Sequence, residues 1–253
     1  MILETEYLYH IFNQGNNGQR IFFNRENYLF FLKKTTEFIL PYADILAWCL
    51  MPNHFHFMVY VHDMEVEVAD TDGFTLGQRT DGFTLRGSDT DGFTLARTSI
   101  NSNISVSEAV SKSPSEAVSK LPSEAVSNSK PKKKRNFNDS IGLQLRSYTR
   151  AINLQENRTG SLFRTPTKAE CITKIGEITP SFFNKSFGTM FNRSIPELEY
   201  PKICFNYIHY NPVNAKLAKH PEDWEFSSYR DYCGLRMGKL VNKERAKEFL
   251  EWE

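Results

Sequence analysis

The chain has 253 residues with a formal net charge of +1, and it is 40% hydrophobic and 13% aromatic, which is enough apolar material for one large or two small folded domains. With a net charge this close to zero, the protein as a whole does not attract polyanions such as nucleic acids, so any basic binding surface would have to be local. Four widely spaced cysteines, an acidic N-terminal segment and the lack of any run of about 18 apolar residues lead us to expect a cytoplasmic protein with reduced thiols, no export signal and no membrane span.

The first part of the chain predicts elements in the order β-α-β-β. Residues 7–12 are mostly aromatic or branched and end at a cluster of turn residues, which predicts a strand followed by a loop. Apolar residues at helical spacing then predict a helix over about 25–40, with Asn24 as its N-cap. Residues 45–50 and 54–61 predict two buried strands that form a hairpin around a tight turn.

Two histidines lie two residues apart on the last of these strands. Because alternate residues of a strand share a face, His54 and His56 are expected to point in the same direction. Two neutral imidazoles on one face can bind a single metal ion. The alternative interpretation is a pair of hydrogen-bonded core histidines.

Residues 66–135 have the composition of an insert. The sequence TDGFTL begins at 71, 80 and 90, and SEAVS begins at 107, 115 and 123. These repeats are shorter than solenoid units and are dominated by small polar residues, so we expect a disordered, repeat-expanded loop. The basic run at 130–135 either contacts a nucleic-acid backbone or keeps the loop solvated.

Helical periodicity returns over 140–153, and basic residues lie on this helix and after it. Arg146 and Arg150 are on the helix, Arg158 follows it, and Arg164 and Lys168 belong to a predicted extended segment. Arginines beside glycine and an aromatic residue are typical of an edge that contacts phosphates, and we predict that these five residues bind DNA. The alternative is that these residues only keep the exposed side of an ordinary helix solvated.

A second candidate site element is the predicted helix over 201–218. Tyr207 and Asn211 are four residues apart, so they share a helix face. Set opposite the histidine strand, the Asn211 oxygen would be a third metal ligand and Tyr207 a nucleophile, with the metal polarising a phosphate. Alternatively, Asn211 is an N-cap with Pro212 at the first helical position.

Four stretches of the sequence resemble the single-tyrosine HUH endonucleases, in particular the REP-associated tyrosine transposases of the IS200-like type. They are LMPNHFH at 50–56, RTGSLF at 158–163, YIHYNPV at 207–213 and WEFSSY at 224–229. In this order they span nearly the whole chain outside the insert.

The resemblance implies an α+β fold, namely a ferredoxin-like antiparallel sheet with helices packed mainly on one face. It implies cleavage and joining of single-stranded DNA near hairpins through a 5′-phosphotyrosine, with Mg²⁺ or Mn²⁺ as cofactor and a monomer or homodimer as the working unit. His54, His56 and Asn211 match the metal ligands of this family, and Tyr207 matches the nucleophile. We expect one domain from residues 1–65 and 136–234, followed by a C-terminal helix within 235–253.

Three alternatives remain open from the sequence. Tyr148 lies on a helix beside arginines and is a second candidate nucleophile, although Ile152 stands where a polar ligand would follow. A catalytically inactive protein of the same fold would bind hairpin nucleic acid without cleaving it. A metal-dependent hydrolase would use water as nucleophile, with Asp63 and Glu65 as the nearest carboxylates in sequence.

Overall fold

The computed structural model describes residues 2–68, 133–174 and 199–250. The helices and strands, in chain order, are β1 (Leu8–Gln14), α1 (Arg25–Phe38), β2 (Ala43–Met51), β3 (His54–Val61), β4 (Glu65–Val68), β5 (Lys133–Asn136), α2 (Phe137–Gln155), β6 (Lys168–Cys171), α3 (Tyr200–Asn214), α4 (Tyr229–Tyr232) and α5 (Lys243–Lys247). The predicted strands and the helices predicted over about 25–40, 140–153 and 201–218 are therefore confirmed, with ends shifted by a few residues.

The centre of the fold is a four-stranded sheet in the order β2-β3-β1-β6, and every neighbouring pair is antiparallel. With α1 between β1 and β2, and α2 between β3 and β6, this is the split β-α-β arrangement of ferredoxin-like folds. The predicted α+β class is confirmed.

Alternation along β3 separates the two faces of the sheet. Phe55, Phe57 and Val59 belong to the apolar core that α1 and α2 cover, together with Phe31 and Tyr148. The intervening positions of β3 face α3 instead. Two of the three long helices thus lie on one face and the third lies on the other, which is where both histidines of β3 point.

The α1 helix begins where the sequence predicts it. The side chain of Asn24 accepts a hydrogen bond from the backbone N–H of Asn27, and the Asn27 side chain accepts one from the backbone N–H of Asn24. This reciprocal capping satisfies two backbone donors at the exposed helix start.

The two ends of the predicted disordered insert are ordered strands. β4 and β5 pair antiparallel, with Val66 opposite Arg135 and Val68 opposite Lys133. The prediction of a structureless segment was wrong at these ends, because backbone pairing between residues distant in sequence is not visible in local composition. The repeats, and the start of the basic run, lie outside the described residues.

The C-terminal helix predicted within 235–253 is much shorter in the structure. Only Lys243–Lys247 form α5, and the chain before it is extended, with Val241 bridging Ile45 and the Asn242 N–H donating to the Ile45 carbonyl. Leu240 and Val241, which fall within the predicted helix, pack instead against the sheet core from this extended segment. None of the helices in the described ranges combines the length and the apolar character that a membrane crossing requires.

Candidate metal and nucleophile site

Three side chains from two elements converge on the face of the sheet that α3 covers. The Nε2 atom of His54 lies 3.3 Å from Oδ1 of Asn211, and the Nε2 atom of His56 lies 3.1 Å from Nδ2 of the same amide. All three residues are buried, with exposed fractions of 5% for His54, 0% for His56 and 7% for Asn211. The predicted grouping of two imidazoles and one amide is therefore present in the fold.

The α3 helix brings Asn211 to the histidines. Cys204 and Ile208 of α3 pack in one apolar cluster with Cys49 and Met58 of the sheet, which holds the helix across the strands. Asn211 lies inside the helix, and Pro212 is an internal residue two positions before the helix ends at Asn214. The alternative in which Asn211 caps a new helix is wrong, because the turn around Pro212 continues the helix that carries Tyr207.

Hydrogen bonding fixes the tautomer of His54. Its Nδ1 lies 2.7 Å from Oδ1 of Asn53, which can only accept, so Nδ1 carries the hydrogen and Nε2 presents its lone pair to Asn211. That lone pair faces the amide oxygen, which is also an acceptor. The two lone pairs repel each other, and a cation bound by both His54 Nε2 and Asn211 Oδ1 would replace this repulsion with attraction. The two atoms are therefore suited to bind the same metal ion.

Burial keeps both histidines in the form that binds metals. Burial lowers the pKa of His54 to about 4, although the contact with Asn211 raises it. The pKa of His56 is lowered further, first by burial and then by its histidine neighbours. Both rings are therefore neutral near pH 7, and neutral imidazole is the ligating form.

Tyr207 lies beside this group on the preceding turn of α3. Its ring meets the ring of His56 edge-on, with 5.5 Å between centroids, and the ring of His10 at 6.1 Å. Tyr207 is half-buried. One helix thus carries both a phenol and the amide that contacts the histidine pair.

Sequence reasoning missed His10. It lies in β1, is fully buried, and its Nε2 atom is 2.9 Å from Nδ1 of His56. The available signal was a histidine at the centre of the apolar strand 7–12, but nothing local indicates which strand is its neighbour.

Tyr148, the alternative nucleophile, lies on the other side of the sheet from the histidines. It is fully buried in the core on the opposite face of the sheet, and its hydroxyl donates to the backbone carbonyl of Ile21 at 2.7 Å. Burial raises the pKa of Tyr148 strongly. A phenol that is buried, bonded and hard to ionise is part of the core and not a nucleophile.

The five predicted DNA-binding residues are not all on one surface. Arg146 and Arg150 are exposed on α2, which covers the sheet face opposite the histidines. Arg158 donates to Oε1 of Gln19 at 2.9 Å. Arg164 is exposed, and its backbone N–H donates to the carbonyl of Gln14, the last residue of β1. Lys168 on β6 places its ammonium 5.8 Å from the centroid of the Phe12 ring.

Lys168 is thereby on the same sheet face as the histidines. Phe12, which it approaches, lies opposite His56 in the β1–β3 ladder, and the two rings are 5.9 Å apart. Of the five residues, Lys168 therefore shares a sheet face with the candidate site while Arg146 and Arg150 lie on the opposite side, and DNA binding by the set stays a prediction.

The carboxylates expected for a hydrolase are remote from the histidines. Asp63 pairs with His62 at 3.0 Å and Glu65 begins β4, both beyond the far end of β3. Val61, the last residue of β3, is already five residues from His56, or about 17 Å at the rise of a strand. Within the described part of the chain, no three His, Cys, Asp or Glu side chains are grouped closely enough to bind a metal ion. An amide is therefore the third candidate ligand.

No family model and no curated protein matches this chain. A solved structure described as a REP-associated tyrosine transposase bound to a REP hairpin aligns with 96% of this chain and 92% of that chain. The two have 12% sequence identity and a TM-score of 0.44. At this identity, residue roles have to come from the geometry of this chain.

Proposed function

We propose that this protein is a metal-dependent endonuclease and strand transferase that cleaves single-stranded DNA near hairpins, with Tyr207 as its nucleophile. The observation that carries the proposal is the contact of one amide, Asn211, with both His54 and His56, one helical turn after a tyrosine. The four sequence stretches that resemble the single-tyrosine HUH endonucleases supply these same residues.

The reaction assigned to Tyr207 is a transesterification. The Tyr207 phenol gives up its proton as its oxygen bonds to the scissile phosphorus, the bond from phosphorus to the 3′ oxygen breaks, and the released 3′ oxygen takes up a proton, so no net proton is consumed. The product is a 5′-phosphotyrosine on one fragment and a free 3′-hydroxyl on the other. Because one phosphodiester replaces another, the reverse attack by a 3′-hydroxyl rejoins strands without a nucleotide cofactor.

The divalent ion would be held by His54, His56 and Asn211, and when bound it would polarise the scissile phosphate and stabilise its developing charge. Imidazole nitrogens suit transition metals better than Mg²⁺, so of the two expected ions the donor set favours Mn²⁺. The protein contributes two neutral imidazole rings that are held in place by burial and hydrogen bonds, next to the apolar cluster between the sheet and α3.

The DNA would cross the sheet face that carries the histidines. Lys168 lies on this side and would contact phosphates. Arg164, which is exposed and whose backbone N–H donates to the carbonyl of Gln14 at the end of β1, would extend this contact. Arg146 and Arg150 are separated from this face by the sheet itself. The proposed phosphate-contacting set is therefore smaller than the predicted one.

The experiment that tests the function is covalent trapping. The full chain is incubated with Mn²⁺ and a pool of single-stranded hairpins labelled at the 3′ end, since the 5′-phosphotyrosine joins the protein to the fragment that carries this end. A labelled protein band on a denaturing gel is expected for the wild type and for Tyr210→Phe, the matched control, an exposed tyrosine on the same helix.

The band should disappear with Tyr207→Phe and weaken with His56→Ala. A band that survives Tyr207→Phe would show that another residue is the nucleophile. If no variant and no metal gives a band while hairpin binding is intact, the protein binds hairpins without cleaving them.

A further inference from the structure

His10 and His56 form a buried contact that the proposed reaction does not use directly. The two rings are nearly parallel, with centroids 5.0 Å apart and an interplanar angle of 24°, and Nε2 of His10 is 2.9 Å from Nδ1 of His56. Both residues have an exposed fraction of 0%. A contact at this distance between two imidazoles carries one hydrogen, so one ring donates and the other accepts.

The far side of His56 decides which ring donates. Its Nε2 lies 3.1 Å from Nδ2 of Asn211, and an amide nitrogen only donates. His56 Nε2 is then an acceptor, and a neutral imidazole whose Nε2 accepts carries its hydrogen on Nδ1. That hydrogen points at His10, so His56 donates and Nε2 of His10 accepts.

We propose that His10 is a positioning residue that accepts the Nδ1 hydrogen of His56 and so holds His56 in the tautomer whose Nε2 lone pair faces the metal site. This inference rests on the proposed function, because it concerns a ligand of the same metal ion. In the opposite tautomer the hydrogen sits on Nε2, and that atom has no lone pair for a metal.

The arrangement also fixes the ring plane of His56. Without metal it is bonded on one side to His10 and on the other to Asn211, while Phe12 and Tyr207 lie against it. When Nε2 binds the metal instead of the Asn211 amide, the bond to His10 is the one that remains. Outer partners of this kind orient metal-binding histidines, and losing one typically costs about 10- to 100-fold in metal affinity. Here the partner is a second imidazole from the neighbouring strand.

The direct test is the tautomer of His56 in the metal-free, full-length protein. Long-range ¹H–¹⁵N spectra of protein labelled with ¹⁵N-histidine distinguish Nδ1–H from Nε2–H rings, and the signals that vanish in His56→Ala identify this residue. We expect the Nδ1–H form. This measurement requires no substitution at His10.

The second test is Mn²⁺ affinity, measured from the electron paramagnetic resonance signal of the free ion. His10→Phe removes the acceptor and should weaken binding by about 10- to 100-fold. His10→Gln places an amide oxygen near the position of Nε2 and should restore most of the affinity. Tyr210→Phe, which changes an exposed side chain of α3 outside this arrangement, should bind Mn²⁺ like the wild type.

The outcomes separate this inference from the function on which it rests. An Nε2–H form of His56, or wild-type Mn²⁺ affinity in His10→Phe, would overturn the role of His10 even if the covalent adduct forms. Failure of the wild type to bind Mn²⁺ would overturn the metal-dependent function, and the role of His10 with it.

Discussion

His209 and Ser228 share a buried hydrogen bond that ties α3 to the sheet. Nε2 of His209 lies 2.7 Å from Oγ of Ser228, and this hydroxyl also accepts from the backbone N–H of Trp48 at 2.8 Å. The Ser228 hydroxyl donates in turn to the Trp48 carbonyl at 3.2 Å. One hydroxyl thus connects β2, α3 and the segment before α4, and it holds the helix that carries Tyr207 and Asn211.

Ser228→Ala should destabilise the protein. It leaves the Nε2 hydrogen of His209 and the Trp48 N–H buried without their acceptor, at a cost of about 2–4 kcal/mol in the free energy of unfolding. Urea unfolding followed by circular dichroism measures the change. Ser147→Ala on α2, where the serine is half-buried, is the control and should stay near the wild type. Equal stability of the two variants would contradict a role for this hydroxyl in holding α3.

Acid should destabilise the metal-free protein through His209. Burial lowers the pKa of His209 to about 3, whereas an unfolded histidine titrates near 6.5. Below pH 6.5 the unfolded state binds more protons than the folded state, so stability falls as the pH falls towards the folded pKa. At pH 5 this amounts to about 2 kcal/mol from one such histidine.

His209→Gln keeps a donor for Ser228 but removes the titration. Urea unfolding in EDTA at pH 7.5 and pH 5 should therefore show a smaller loss of stability for this variant than for the wild type. Part of the loss should remain, because burial also lowers the pKa of His10 to about 3 and that of His54 to about 4. An unchanged loss in His209→Gln would mean that His209 does not drive the pH dependence.

Local periodicity predicted those parts of the site that lie within one element. A period of two places His54 and His56 on one strand face, and a spacing of four places Tyr207 and Asn211 on one helix face. Neither relation depends on how the elements pack. The meeting of strand and helix was predicted from the resemblance to a known family and from the chemistry of the side chains.

Relations between distant elements were not predictable in this way. His10 reaches His56 only because β1 and β3 are neighbours, and Val241 is extended because it bridges Ile45. A helical stripe also does not say which sheet face it covers, which is why Tyr148 remained a candidate nucleophile. Its position depends on the crossover from β3 through α2 to β6.

Asn211→Ala should lower the affinity for Mn²⁺ by more than the 10- to 100-fold expected for losing an outer partner, because Asn211 is a proposed ligand. Asn211→Asp keeps an oxygen at this position and adds charge, so it should bind Mn²⁺ at least as well as the wild type. Isothermal titration calorimetry measures both.

Asn214→Ala provides the matched control for these variants. Asn214 is the exposed last residue of the same helix, and its replacement should leave Mn²⁺ binding unchanged. Wild-type affinity in Asn211→Ala would remove the amide from the ligand set and leave a site of two histidines only.

Lys168→Gln and Arg164→Gln should each weaken hairpin DNA binding and its dependence on salt. Each phosphate contact to a single strand contributes about 0.7 to the slope of log affinity against log salt concentration, so each variant should lower the slope by about that amount. Fluorescence anisotropy with a labelled hairpin at several salt concentrations, in the absence of metal, measures both quantities.

Arg146→Gln makes the same change of charge on the opposite face of the sheet and should leave the slope unchanged. If Arg146→Gln lowers the slope and Lys168→Gln does not, the DNA lies along α2, away from the histidines, and cleavage at Tyr207 would lose its geometric basis.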